Sequence, residues 1–313
     1  MIQIKRTPPI LKKSNFHVSL ASIILILVIL PVLNCFLSYA QELRPQKKIE
    51  NIIEAIISPE VVHVGDTVSI KIKKTGDEPQ LPKVYFDKSK IPIFKINEKL
   101  YRGLIPLSAD YKAKKYPIEI FYNGQTKKID LAVEETKYPI QELTLTKEVV
   151  ALKATRIEKA LVAKALKVVS NEKIWQGKFT MPSSGRHSTP YGVQRRVNGV
   201  ITPGYFHRGL DFAAPQGSDI KAPENGKVIL TGHVSKGFVV NGNCIFIDHG
   251  HGVITGYLHL QNVLVKEGDL VKKGQIIGKV GGTGIASGPH LHWGVYVLGK
   301  TVDPINWTKT AYE

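Results

Sequence analysis

Three short polar clusters hold the residue types from which a metal-dependent hydrolytic site could be built. They are His207-Arg-Gly-Leu-Asp211, Tyr257-Leu-His259-Leu260 and Pro289-His290-Leu-His292. Together they supply four imidazoles and one carboxylate. His290 and His292 are two apart, and on a strand such residues point to one face, so both rings would enter the same cleft. His207 and Asp211 are four apart around Gly209 and share a face on an extended or gently turned segment. Two imidazoles and a carboxylate suit zinc and leave one position for water. Zinc would bring that water's pKa toward about 7 and polarise a carbonyl. No His-Glu-x-x-His helix is present, so no glutamate base comes with the ligands. The proton work then falls to His259 and to one of the His290/His292 pair. Spacing alone leaves open which of that pair would bind metal. Each motif is common by chance; their coincidence in one stretch carries the argument.

The elements that must position these residues read as strands. From Trp175 onward, Lys227–Thr231, Cys244–Asp248, Gly252–His259, Gln275–Val280 and His292–Val297 are strand candidates, with glycine throughout the connections. That pattern predicts a compact β-barrel or sandwich with tight corners. Asp248-His-Gly-His-Gly252 looks like a glycine turn, so His249 and His251 stay outside the ligand set. Cys244 reads as a small buried hydrophobe. Arg195 and Arg196 could meet substrate carboxylates or be solvated surface charge. Gly281, Gly282, Gly284 and Gly288 read as backbone devices that let a loop approach the groove.

Residues 176–307 resemble the LytM/lysostaphin-type zinc metallopeptidases, peptidase family M23, which cut peptide cross-links in bacterial peptidoglycan. The resemblance runs through Tyr205-Phe-His-Arg-Gly-Leu-Asp211-Phe-Ala-Ala-Pro, Ala222-Pro-Glu-Asn-Gly-Lys-Val, Tyr257-Leu-His259-Leu, Gly282-Thr-Gly-Ile-Ala-Ser-Gly-Pro-His290-Leu-His292-Trp and Val302-Asp-Pro-Ile-Asn-Trp307. It implies that His207, Asp211 and His292 bind zinc and that His259 and His290 flank the zinc-bound water as acid/base and oxyanion-stabilising residues. The fold it implies is a small, mainly antiparallel β domain with a groove over the metal. Some relatives lose zinc ligands and act as non-catalytic regulators or activators of other cell-wall hydrolases; the ligand set here is complete. Others are held latent by an upstream segment covering the metal, a role open to the preceding β region and helix. The stretch Val265–Gly278 also looks like the hairpins of biotinyl and lipoyl carriers, but it lacks their modified lysine in a tight turn.

Upstream, residues 52–135 read as six or seven short strands, which predicts a β-sandwich, Ig-like in strand number. Thr67-Val-Ser-Ile-Lys-Ile-Lys73 alternates, with Val68, Ile70 and Ile72 on one face. Asn123-Gly124 marks a hairpin turn into Thr126–Val133. Residues 136–175 read as a linker with one helix. Its start is a capping box at Thr155-Arg-Ile-Glu158, and Ile157, Leu161, Ala165 and Val168 lie on one face. Residues 176–313 complete the order as the peptidase-type domain.

The chain of 313 residues carries a net charge of +17, which favours a polyanionic partner. Its lysines are scattered rather than clustered with aromatics, and it has no nucleic-acid motif. Two cysteines exclude a disulfide framework. Residues 1–40 join a basic start to an uncharged run from Val18 to Ala40. They read as a secretory signal cleaved after Ala40 or, since the run could span a bilayer, as an uncleaved anchor. Either way the remainder is exported to the periplasm or cell envelope. Peptidoglycan peptides are the expected partner, and oligomeric state is not legible.

Overall fold

The computed structural model describes residues 53–74, 80–144, 146 and 152–313. The expected leader, with its cleavage at Ala40 or its anchor, lies outside them. Residues 51–313 form one compact unit that is mainly β.

The first half builds two sheets over one apolar core. One sheet has the order Ala55–Ser58, Thr67–Lys73, Leu100–Pro106, Phe94–Asn97, antiparallel throughout. The other runs Val62–His63, Gln125–Glu134, Lys114–Tyr122, Lys83–Phe86, Ser89–Ile91. Val68, Ile70 and Ile72 all reach the core between them, as the alternation predicts. Asn123 and Gly124 both adopt positive φ in the two-residue turn that pairs Tyr122 with Gln125. Pro92 separates Ser89–Ile91 from Phe94–Asn97, so the apolar run Ile91–Ile96 forms parts of two strands in different sheets.

The second half is organised by a large, mainly antiparallel sheet. Its path is Arg186–Thr189, Leu210–Ala213, His290–Val297, Val253–Val263, Asn243–Gly250, Gly226–Gly232, Leu270–Val271. Each predicted strand is present; four are two or three residues longer, the one expected from Gly252 beginning at Val253, and Gln275–Val280 is one residue shorter, beginning at Ile276. One face packs Trp175, Phe179, Trp293 and Trp307 into the main core. The other carries the linker helix Arg156–Leu166 over Phe238, Phe246 and Tyr296. Between the two halves Ile140–Leu143 runs parallel to Gln194–Val197, which hairpins with Val200–Phe206.

The helix sits otherwise than its periodicity predicts. Of its expected face, Ala165 is buried and Val168 packs against the same core, but Ile157 and Leu161 are exposed and Glu158 is buried instead. Thr155 does cap it, accepting the Glu158 amide at 3.1 Å. The Glu158 side chain does not return to the cap; it turns to a neighbouring loop, and that non-local attachment rotates the helix.

The halves share a buried seam. Asn306 Nδ2 donates to Asp66 Oδ1 at 2.7 Å, and Trp307 Nε1 donates to Thr67 Oγ1 at 3.0 Å. Fully buried Arg102 donates to Tyr312 O and, at 2.8 Å, to His251 Nδ1, and it lies 5.0 Å from the Trp175 ring centre.

Candidate metal centre

Leu210–Ala213 and His290–Val297 are antiparallel neighbours in which Asp211 stands directly opposite His292. Residues so paired have adjacent side chains on one face of the sheet. His207 follows Val200–Phe206 and is tied by its backbone on both sides: its amide donates to Val193 O at 2.8 Å, and its carbonyl accepts from Gly192 N at 2.8 Å. Gly209 is required between His207 and Asp211. A Cβ there would lie 2.5 Å from Trp293 O and 2.7 Å from His292 Nε2, so any side chain would push His292 away.

Three atoms converge. His207 Nε2 lies 3.0 Å from Asp211 Oδ1 and 3.0 Å from His292 Nδ1, and His292 Nδ1 lies 2.9 Å from Asp211 Oδ1. His290 is beside them, its Nε2 3.9 Å from Asp211 Oδ1. The His259 ring centre is 4.9 Å from that of His290 and 6.2 Å from that of His292. All five sequence-derived residues therefore meet in one place.

Backbone carbonyls fix the tautomers. The Nδ1 of His207 is 2.8 Å from Pro190 O, that of His259 is 2.8 Å from Thr283 O and that of His290 is 2.9 Å from Gly288 O. A carbonyl can only accept, so each Nδ1 carries the proton and each Nε2 presents a lone pair. His259 owes its direction to a break in its strand. Between Tyr257 and Leu260 the pairing with Ile245 and Asn243 shifts register, and His259 takes φ +66°, unusual for a side chain of this kind.

The site is largely dry: His207 and Asp211 are 3% and 4% exposed, His259 and His292 8% each. Burial works against ionising Asp211, but protons on the His207 and His292 nitrogens beside its Oδ1, where a metal ion would stand, would outweigh it and hold the carboxyl well below the usual range. Burial lowers the His292 pKa. Burial, then His292 and His290, push His259 down to about 3. These imidazoles are therefore neutral at neutral pH, the form that ligates metal or takes up a proton.

The donor set fits a metal. Its separations of 2.9–3.0 Å are close to the roughly 3.3 Å between ligands about 2.0–2.1 Å from tetrahedral zinc. Three acceptor-rich atoms facing one point are poorly satisfied by each other alone.

The two arginines divide. Arg196 pairs with Glu142. Arg195 Nη2 lies 3.7 Å from Asp211 Oδ2, and its Nε is buried without a hydrogen-bond partner among the described residues. In the glycine loop, a Cβ on Gly284 would meet Val240 O at 2.4 Å and one on Gly281 would meet Gln261 N at 2.3 Å, whereas Gly288 has open space. Cys244 is buried in the core under the helix. His249 and His251 lie outside the cluster and are buried, not merely turn residues: His249 bonds Asn225 O and Thr255 Oγ1. Sequence reading missed the backbone acceptors Thr283 and Pro190, for which no side-chain type signals the role.

Residues 205–304 match the model of peptidase family M23. Over 110 residues the chain is 44% identical to the peptidoglycan DD-endopeptidase ShyC of Vibrio cholerae, covering 35% of this chain and 24% of that one. Over 121 residues it is 38% identical to the DD-carboxypeptidase/endopeptidase Mpg of Neisseria meningitidis, covering 39% and 26%. The chain thus spans about a quarter of the length of these curated relatives. A crystal structure of a candidate peptidase M23 from Pseudomonas aeruginosa is 28% identical, with a TM-score of 0.59 over 79% of this chain and 94% of that one. The segment that matches peptidase family M23, residues 205–304, holds the whole His-Asp-His cluster.

Proposed function

We propose that this chain is an exported zinc metalloendopeptidase that hydrolyses peptide cross-links of bacterial peptidoglycan. The observation that carries this reading is the convergence of His207 Nε2, Asp211 Oδ1 and His292 Nδ1 beside two imidazoles whose Nε2 atoms are left free. His207, Asp211 and His292 hold the ion. Bound zinc supplies Lewis acidity toward the scissile carbonyl and makes water a nucleophile at neutral pH. One of the Nε2 atoms of His259 and His290 would take the proton of the attacking water, and the other would donate to the developing oxyanion once its own Nε2 carries a proton. Their Nδ1–H groups, anchored on Thr283 O and Gly288 O, leave the Nε2 of each ring as the atom that gains and gives up a proton. Dryness around Asp211 strengthens each of these interactions.

The basic and then uncharged residues 1–40 support export, by a signal cleaved after Ala40 or by an anchor in the inner membrane. The division into 52–135, 136–175 and 176–313 is supported by two largely distinct cores, which meet across the seam at Leu104 and Leu298. Two facing sheets over the first of these support an Ig-like sandwich.

The test is digestion of purified peptidoglycan with and without a chelator, followed by mass spectrometry of the soluble fragments. Release of peptides cut at one bond, abolished by chelation and restored by zinc, is expected. Intact cross-links after incubation with zinc-loaded protein would overturn the reading.

A further inference from the structure

Glu158 is 1% exposed, yet among the described residues it is met by backbone amides and not by a cation. Its Oε2 accepts from Val239 N at 3.1 Å and Val240 N at 3.2 Å, and its Oε1 accepts from Asn241 N at 2.7 Å. Three successive amides turned onto one carboxylate form an anion nest, which offsets the cost of burying the charge. Thr155, one turn earlier, donates its hydroxyl to Gly237 O at 2.8 Å. The linker helix thus grips the loop 237–241 at four points.

That loop leads directly to the metal centre. Asn241, whose amide Glu158 holds, accepts the His259 amide on its carbonyl at 3.0 Å. Val240 O accepts Ile285 N at 2.9 Å, and Asn243 N donates to Thr283 Oγ1 at 2.9 Å. Gly242 packs so closely that a Cβ would lie 2.4 Å from Thr283 O, the atom that receives the His259 Nδ1 proton. His259 is therefore held at its backbone by one loop and at its ring by a second loop bonded to the first.

We propose that Glu158 is a positioning residue for His259: its carboxylate clasps the 237–241 loop, and the loop sets the backbone and ring tautomer of the acid/base histidine. This rests on the proposed role of His259. It makes the helix upstream of the matched family segment part of the site's construction, not a spacer.

The test compares Glu158→Gln and Glu158→Ala with the unaltered full-length chain. Readouts are zinc content, hydrogen exchange of the 239–241 amides, ¹⁵N-histidine NMR of His259, and turnover of soluble cross-linked muropeptides. The expected result is one zinc per chain in each protein, faster exchange at 239–241 in both variants, and a His259 signal moving from the Nδ1–H tautomer toward a mixture. kcat should fall by about 10-fold or more, with KM little changed. Should alanine prevent folding, glutamine keeps the side-chain volume and the comparison stands on it. Unchanged amide exchange would show that the clasp does not hold the loop. Fast exchange with an unchanged His259 tautomer and kcat would show that the loop does not position the ring. If the unaltered chain hydrolyses nothing, the functional reading fails, while exchange and NMR still judge the clasp.

Discussion

Replacing Arg102 with methionine probes whether the two halves form one folding unit. Arg102 springs from Leu100–Pro106 in the N-terminal half, but its bonds go to Tyr312 O and His251 Nδ1 and its charge faces the Trp175 ring, all in the other half. Burial pushes its pKa down to about 10, which leaves it charged at pH 7. Methionine fills much of the space but leaves Tyr312 O and His251 Nδ1 without donors, at about 1–3 kcal/mol each. Relief from burying a cation offsets part of that. The net expected loss is about 2–3 kcal/mol at pH 7, or roughly 4–10 °C in Tm for a chain of this size. A pH series adds a signature. Burial first, then the Arg102 charge, lower the His251 pKa from 6.5 to about 4. A base that binds its proton more weakly when folded contributes fully above about pH 6.5, and the contribution is lost as pH falls toward 4. After allowance for solvent screening that loss is on the order of 2 kcal/mol. Without the Arg102 charge His251 protonates more readily, so the variant should show a shallower acid slope. Urea unfolding at pH 7 and at steps down to pH 4 measures both. An unchanged midpoint at pH 7, or a slope as steep as that of the unaltered chain, would refute the reasoning.

Three other outcomes follow from the geometry. His290→Ala should abolish turnover while one zinc stays bound, because His290 Nε2 lies beside the ligand triangle and not in it; activity assays and metal analysis on the same sample decide this. Gly209→Ala should weaken zinc binding by about 10-fold or more, since its Cβ would displace His292; chelator competition reads that affinity. The isolated fragment 176–313 should be less stable than the longer chain, whatever its activity, because removing Thr67, Asp66 and Arg102 strips partners from Trp307, Asn306, Tyr312 and His251; thermal unfolding of both lengths checks it.

The site was legible because its spacings are local. His290 and His292 share a strand and a face, and Gly209 lets His207 and Asp211 turn inward. Which histidine joins His207 and Asp211 in the cluster was not legible from spacing, since that depends on the partner strand: His292 stands opposite Asp211, whereas His290 stands opposite Ala213. Resemblance supplied what local pattern could not. In the same way Thr67–Lys73 announced the buried side of Val68, Ile70 and Ile72, but not the burial of Thr67 and Ser69 on its other face. Thr67 is covered from the other half, where Trp307 reaches it. The helix shows the limit most clearly. Thr155 and Glu158 read as a reciprocal cap, and Ile157 and Leu161 as a buried face. A nest of amides some 80 residues away captured Glu158 and turned those apolar side chains outward.

The central claim is that His207, Asp211 and His292 hold a zinc ion in a hydrolytic site. Anomalous X-ray scattering from a crystal of the zinc-loaded chain, with data on both sides of the zinc absorption edge, addresses it most directly. The account predicts one strong peak within about 2.0–2.2 Å of His207 Nε2, Asp211 Oδ1 and His292 Nδ1, with His259 and His290 beside it and not bonded to it. A zinc peak elsewhere, or these three side chains turned away from a shared ion, would contradict it.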